Sequence, residues 1–163
     1  MEIKNLMRQA YLYGDWFSVD KSTHLGAILV DDTGKMRAMG VNTFTDDTQK
    51  EVEANYFRPR KYQVTEHAER SAIYYAARNG IATRGLTLIC PWASCPDCAR
   101  AAVMAGIKEV IGHKQAFDRT PDRWKDEINV GFEILKGGGV TYTFYDGKIG
   151  DVENLFNGEI WHP

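Results

Sequence analysis

The sequence predicts an α/β fold, a mixed β-sheet with helices on both faces. Three observations lead there. Near the N-terminus, two apolar runs flank a glycine turn and read as a β-hairpin. Further on, short apolar runs alternate with helical stretches, which implies parallel pairing through crossover helices. Glycines and prolines punctuate the boundaries between these segments. At 163 residues the chain has room for one domain with a real core and too little for two, so residues 1–163 are expected to form a single domain.

Each element follows from local chemistry. Residues 2–17 are amphipathic and suit a helix. "HLGAILVDD" is an apolar run ending in Asp31 and Asp32, Gly34 turns the chain, and "KMRAMGVN" returns it. Residues 43–65 are polar, with Pro59 among them, and read as a long irregular loop. Residues 66–79, rich in Ala and Arg, suit a helix closed by Gly80. "LTLICPW" is a short buried strand. "CPDCARAAVMAG" is a helix with Pro96 in its first turn and Gly106 at its end. "KEVIGH" is a strand, residues 122–136 a helix, and three glycines at 137–139 precede the last strand, "VTYTFYDG". The tail 151–163 shows no clear periodicity and is assigned only packing or an oligomer contact.

Composition narrows the function classes. The chain is 44% apolar and 26% charged, ordinary for a globular protein. No run approaches the ~20 apolar residues that cross a bilayer. The first residues lack the basic start and apolar block of a signal peptide, so no membrane partner and a cytoplasmic location are expected. A net charge of −2 argues against a polynucleotide partner, since backbone phosphates call for a basic excess. The three cysteines do not form a disulfide framework, which leaves metal or redox chemistry for a C-x-x-C pair.

That pair is Cys95-Pro-Asp-Cys98. Alone it is open between a thiol redox couple, two metal ligands and packing. It opens a helix, where free N–H groups and the helix dipole favour thiolate, and this suits either chemistry. The discriminating feature lies upstream, in His67-Ala68-Glu69 at the start of another helix. One imidazole and two thiolates match Zn²⁺, and neither Cys90 nor His113 is an obvious fourth ligand. Three ligands are the catalytic arrangement, with one zinc ion per chain and a water completing the set. Glu69, two residues beyond the histidine, is placed to move protons without binding the metal. Cys90 is read as a small core residue, and His24, His113 and His162 as structural or surface groups.

H-x-E followed by C-x-x-C is the pattern of the zinc nucleobase deaminases. The chain resembles in particular the deoxycytidylate (dCMP) deaminases of the cytidine deaminase superfamily, from about Ser18 to Tyr145. The resemblance rests on "SVDKSTHLGAILVDD", "GVN" at 40–42, "KYQVTEHAERSAI" at 61–73, "CPDCARAAVMAGIKEVI" at 95–111 and "GGGVTY". It implies a three-layer α/β/α sandwich around a five-stranded mixed sheet. It also implies zinc on His67, Cys95 and Cys98, with Glu69 as proton shuttle. Asn42 would contact the sugar, the Ala68 N–H the pyrimidine carbonyl, and the Ser94 carbonyl the substrate amine. Trp92 and Tyr62 would wall the base. The implied reaction is hydrolytic loss of ammonia at C4 of cytosine, with Glu69 protonating N3 and then the amine. A free nucleotide substrate and a homo-oligomer, dimer or hexamer, belong to the same expectation.

The chain departs from that pattern at four places. Ser94 stands where proline precedes the first cysteine, and Phe17 and Val19 stand where basic residues are common. "NTFTDD" replaces a segment that often contains glycine, and Ser71 replaces an asparagine. The Phe17 and Val19 changes bear on 5′-phosphate recognition, and "NTFTDD" on regulation by nucleotide triphosphates. Replacement phosphate ligands are sought in Arg58, Arg60 and Lys61, or in Arg119 and Arg123. Two other readings stay beside dCMP. One is deamination of a nucleoside, a modified pyrimidine nucleotide or another aminated heterocycle. The other is a non-catalytic binding module stabilised by zinc, which predicts a closed four-ligand site.

Overall fold

A computed structural model describes residues 2–163. Helix α1 (Ile3–Phe17) leads into the hairpin of β1 (Gly26–Val30) and β2 (Met36–Val41). Gly34, at φ 83°, makes the turn and donates its N–H to the Asp31 carbonyl at 2.9 Å. The segment expected to be irregular is instead built from short pieces. A two-stranded ribbon of β3 (Thr43–Phe44) and β4 (Thr65–Glu66) closes it, and two 3₁₀ turns and the short helix α2 (Lys61–Val64) lie between. Asp46 caps the first turn by accepting from Thr48 N–H at 2.9 Å, and Asn55 binds the Gln49 side chain and carbonyl within it. These local side-chain bonds, invisible to hydrophobic periodicity, order the polar stretch.

Helix α3 (Ala68–Arg78) follows, then β5 (Thr87–Ile89), α4 (Pro96–Met104), β6 (Glu109–His113), the short α5 (Lys114–Asp118), α6 (Asp122–Gly137) and β7 (Thr141–Tyr145). The strand order β2-β1-β5-β6-β7 makes one five-stranded mixed sheet. β1 runs antiparallel to β2 and β5, while β5, β6 and β7 are parallel, with α4 connecting β5 to β6 and α5 and α6 connecting β6 to β7. The expected fold class holds.

Alternation along the strands builds two cores. Ala27, Leu29, Leu88, Cys90 and Val110 face α3, α4 and the end of α6. Ile28, Val30, Ile89 and Ile111 face α1, α5 and the tail. Small residues set the spacing on the first face. Ala68, Ala72 and Ala76 form a buried stripe on α3, and a Cβ added to Gly40 of β2 would lie 2.2 Å from Ala72 N. Backbone therefore meets backbone there, which seats the N-terminus of α3 against the sheet.

The tail is ordered as well. β8 (Asn154–Phe156) and β9 (Glu159–Trp161) form a second hairpin. Trp161 stacks on His113, centroids 6.1 Å apart and planes 17° apart, and closes the second core. No described helix is long and apolar enough to cross a membrane.

Candidate zinc-dependent active site

Two helix starts converge on one point. His67 precedes the first residue of α3 and Cys95 that of α4, both in extended backbone, with Pro96 initiating α4 and Cys98 in its first turn. Arg70 ties the two starts together. Its guanidinium bonds Glu66 on β4 and lies 3.4 Å from Asp97 on α4. The loop between β5 and α4, Cys90–Ser94, delivers Cys95 from the C-terminal end of the central strand.

His67 Nδ1 lies 3.5 Å from Cys95 Sγ and 3.6 Å from Cys98 Sγ, and all three ligand atoms fall within 4.8 Å of one another. A tetrahedral zinc ion with bonds of about 2.3 Å to sulfur and about 2.0–2.1 Å to nitrogen sets such N···S edges at about 3.6 Å. The donor set and its spacing both fit zinc. Among the described residues, no fourth His, Cys, Asp or Glu joins the group.

The electrostatics of the group favour one thiolate, on Cys95. The hydrogen bond from Cys98, and then that from His67, overcome burial and draw the Cys95 thiol down to about 3. Cys98 shifts upward as its partner and because it is buried. Burial opposes charge on His67, but the Cys95 bond and the neighbouring Glu69 and Cys95 charges leave it raised. Glu69 is only 3% exposed, and burial pushes its carboxyl upward against the pull of His67. A carboxyl so placed can hold and release a proton.

A cleft opens above this group. Among its walls are His67, Glu69 and Cys95, with Asn42 on one side. The Asn42 amide accepts from Ala68 N–H at 3.1 Å and donates to the Thr23 carbonyl at 3.2 Å. One N–H and one lone pair of that amide remain for a ligand. Trp92, Trp124, Tyr62 and Phe156 form an aromatic wall of edge-to-face pairs, with centroids 5.0–6.2 Å apart. Arg58, Lys61 and Arg123 bring positive charge to the rim.

Several expected contacts do not assemble. The Ala68 N–H is already engaged by Asn42. Ser94 is buried outside the cleft wall, its carbonyl packed against Gly131, where an added Cβ would approach to 2.3 Å. Arg60 turns away and donates to Asn55 Oδ1 at 2.6 Å. Arg119 lies over the Trp161 ring at 4.4 Å, on the far face of the sheet. Phe17 is exposed in an aromatic group with Tyr13 and Trp16 and does not line the cleft.

Trp124, Phe156, Asn157 and the buried Asp20 were not anticipated. Asn157-Gly158, both at positive φ between apolar runs, is the two-residue hairpin signal in "NLFNGEIW" that could have revealed the tail's role. No comparable short-range signal marks Asp20 or Trp124.

Comparison with known proteins agrees with this geometry. The model of the cytidine and deoxycytidylate deaminase zinc-binding region matches residues 1–114. A deoxycytidylate deaminase of Enterobacteria phage T2 is 39% identical over 70 residues, 42% of this chain; the matched segment is 37% of that relative's length. An uncharacterized deaminase in the luxG 3′ region of Aliivibrio fischeri is 29% identical over 141 residues, 86% of this chain and 91% of its own. The crystal structure of the cyanophage S-TIM5 dCMP deaminase in complex with dCMP and dUMP superposes with a TM-score of 0.69 at 26% identity, covering 87% of this chain and 95% of that one. With its matched region spanning both ligand-bearing helix starts, this chain belongs to the cytidine and deoxycytidylate deaminase zinc-binding family.

Proposed function

We propose that the protein is a zinc-dependent deaminase of a free cytosine nucleotide, converting dCMP and water to dUMP and ammonia. The observation that carries this reading is the tetrahedral N···S spacing of His67, Cys95 and Cys98 in a cleft shared with buried Glu69. The phage relatives and the dCMP- and dUMP-bound cyanophage enzyme support the choice of nucleotide.

His67, Cys95 and Cys98 would hold the zinc ion. When bound, zinc acts as a Lewis acid that lowers the pKa of a coordinated water towards ~7. Glu69 takes the two protons of the attacking water in turn, delivering the first to N3 and the second to the departing amine. Its burial keeps that proton near the reacting atoms. Asn42 borders the sugar. The rings of Trp92 and Tyr62 exclude water around the base, and Arg58, Lys61 and Arg123 offer positive charge to the phosphate.

The single-domain reading of residues 1–163 is retained, because the chain beyond residue 114 supplies part of the cleft. A cytoplasmic homo-oligomer, dimer or hexamer, completes the proposal; sedimentation velocity of the purified protein tests the assembly state.

Ultraviolet detection of dCMP loss, with ammonia measured in parallel, tests the chemistry. Equimolar dUMP and ammonia are expected. Zinc-loaded protein that leaves dCMP intact would overturn the cytosine assignment.

A further inference from the structure

The chain beyond residue 114 lies outside the matched family region, yet Arg123 and Trp124 of α6 and Phe156 and Asn157 of the tail hairpin line the cleft. The hairpin turn is fastened to the cleft rim at several points. Asn157 N–H donates to Thr23 Oγ1 at 3.1 Å, and Gly158 N–H to the Ser22 carbonyl at 2.8 Å. His24 N–H donates to the Leu155 carbonyl at 2.8 Å, and the Asn154 amide returns a bond to the His24 carbonyl, also at 2.8 Å. Arg123 Nη2 donates to Asn157 Oδ1 at 2.6 Å.

The three rim cations are not equivalent. Lys61 Nζ is 2.7 Å from Asp20 Oδ1 in a pair that is largely out of solvent, so its charge is locally balanced. Arg123 and Arg58 are in no ion pair among the described residues. Of the two arginines, Arg58 lies over the Tyr62 ring at 5.5 Å, while Arg123 is held by a directed hydrogen bond to Asn157. The acceptor is a neutral amide, which orients the guanidinium and leaves its full charge for an anion. A carboxylate there would orient it equally and cancel that charge.

We propose that Asn157 is a positioning residue: it aims Arg123 into the cleft to receive the 5′-phosphate of a nucleoside monophosphate, so that the C-terminal hairpin sets preference for phosphorylated over unphosphorylated substrate. This rests on the nucleotide reading above. Holding a long side chain in its binding geometry removes part of the ordering cost that phosphate capture would otherwise carry.

Calorimetric titration of the zinc-loaded full chain with dUMP and with deoxyuridine tests this without requiring turnover. Wild type should bind dUMP more tightly. Asn157→Gly keeps the positive-φ turn while freeing Arg123, and should weaken dUMP by about three- to tenfold with deoxyuridine unchanged. Asn157→Asp retains the turn and the bond to Arg123 but adds a negative charge, and should weaken dUMP at least as much. A purely structural Asn157 would make the aspartate variant behave like wild type. Arg123→Met should weaken dUMP by roughly ten- to a hundredfold, and Asn157→Gly should add nothing in that background. Wild-type dUMP/deoxyuridine preference persisting in both Asn157 variants, equal loss of both ligands, or additive loss in the double variant would overturn the positioning role. Equal binding of the two ligands by wild type would overturn it too. Tight dUMP binding without dCMP turnover would instead sink the deamination reading and leave Asn157 in place.

Discussion

Removing either partner of the Asp20–Lys61 pair should destabilise the protein, and unequally. The side chains are 6% and 12% exposed, and Nζ lies 2.7 Å from Oδ1. At an effective dielectric constant of 20, the direct attraction is about 6 kcal/mol, much of it offset by desolvation of both groups. Asp20 also accepts from Ser22 N–H at 2.8 Å, Ser22 Oγ at 3.0 Å and Thr23 N–H at 3.2 Å. Asp20→Ala therefore leaves a largely buried ammonium and two unpartnered backbone N–H groups. The expected cost is about 3–5 kcal/mol, the range for breaking a buried pair. Lys61→Met leaves a carboxylate that keeps three of its donors, and should cost about 1–2 kcal/mol. For a chain of this length, the Asp20→Ala loss corresponds to at least about 6 °C in Tm. Urea unfolding at fixed zinc and pH, with the m-value checked for constancy, measures both. Equal costs, or an Asp20→Ala cost below about 1 kcal/mol, would show that Asp20 does not hold the buried ammonium and the Ser22 and Thr23 N–H groups together.

Three further outcomes follow from the same geometry. Glu69→Gln should keep its zinc and lose on the order of 10²–10⁴-fold in kcat for dCMP, since one group serves several proton transfers; kcat within threefold of wild type would remove Glu69 from the mechanism. Cys95→Ala should lose zinc on gel filtration, and stoichiometric metal in that variant would refute the ligand set. Burial lowers the pKa of His113, whose Nδ1 is 2.7 Å from Tyr11 Oη and whose Nε2 is 3.0 Å from the Gly147 carbonyl. The folded state thus holds this ring neutral. Its contribution is fully present above about pH 6.5 and is lost as pH falls towards the lower folded value. The destabilisation caused by His113→Gln should shrink between pH 7.5 and 5.5, and a cost that grows on acidification would reverse the assignment.

The grouping of His67, Cys95 and Cys98 was legible because each lies at a helix start that sequence alone marks. Pro96 opens α4 beside Cys95, and the alanine stripe of α3 begins beside His67. The sheet was legible for a similar reason, since the apolar run of β1, the Gly34 turn, and Pro96 and Gly106 at the two ends of α4 are local signals. The cleft's outer wall was not. Asp20 meets Lys61 across 41 positions and Arg123 meets Asn157 across 34, and no periodicity reports such pairings. Ala68 shows the converse error. Its N–H lies where the resemblance placed it, at the start of α3, but Asn42 Oδ1 accepts from it first. Arg60 and Arg119 were grouped with true cleft residues by proximity in sequence, yet Asn55 and Trp161 hold them elsewhere.

Metal titration asks whether zinc on His67, Cys95 and Cys98 drives cytosine deamination. The protein is stripped with a chelator, zinc is restored stepwise, and bound metal and dCMP deamination are measured on each sample. Activity should rise in proportion to occupancy and saturate at one zinc per chain. Full activity in the stripped protein, or saturation of metal with no deamination, would contradict it.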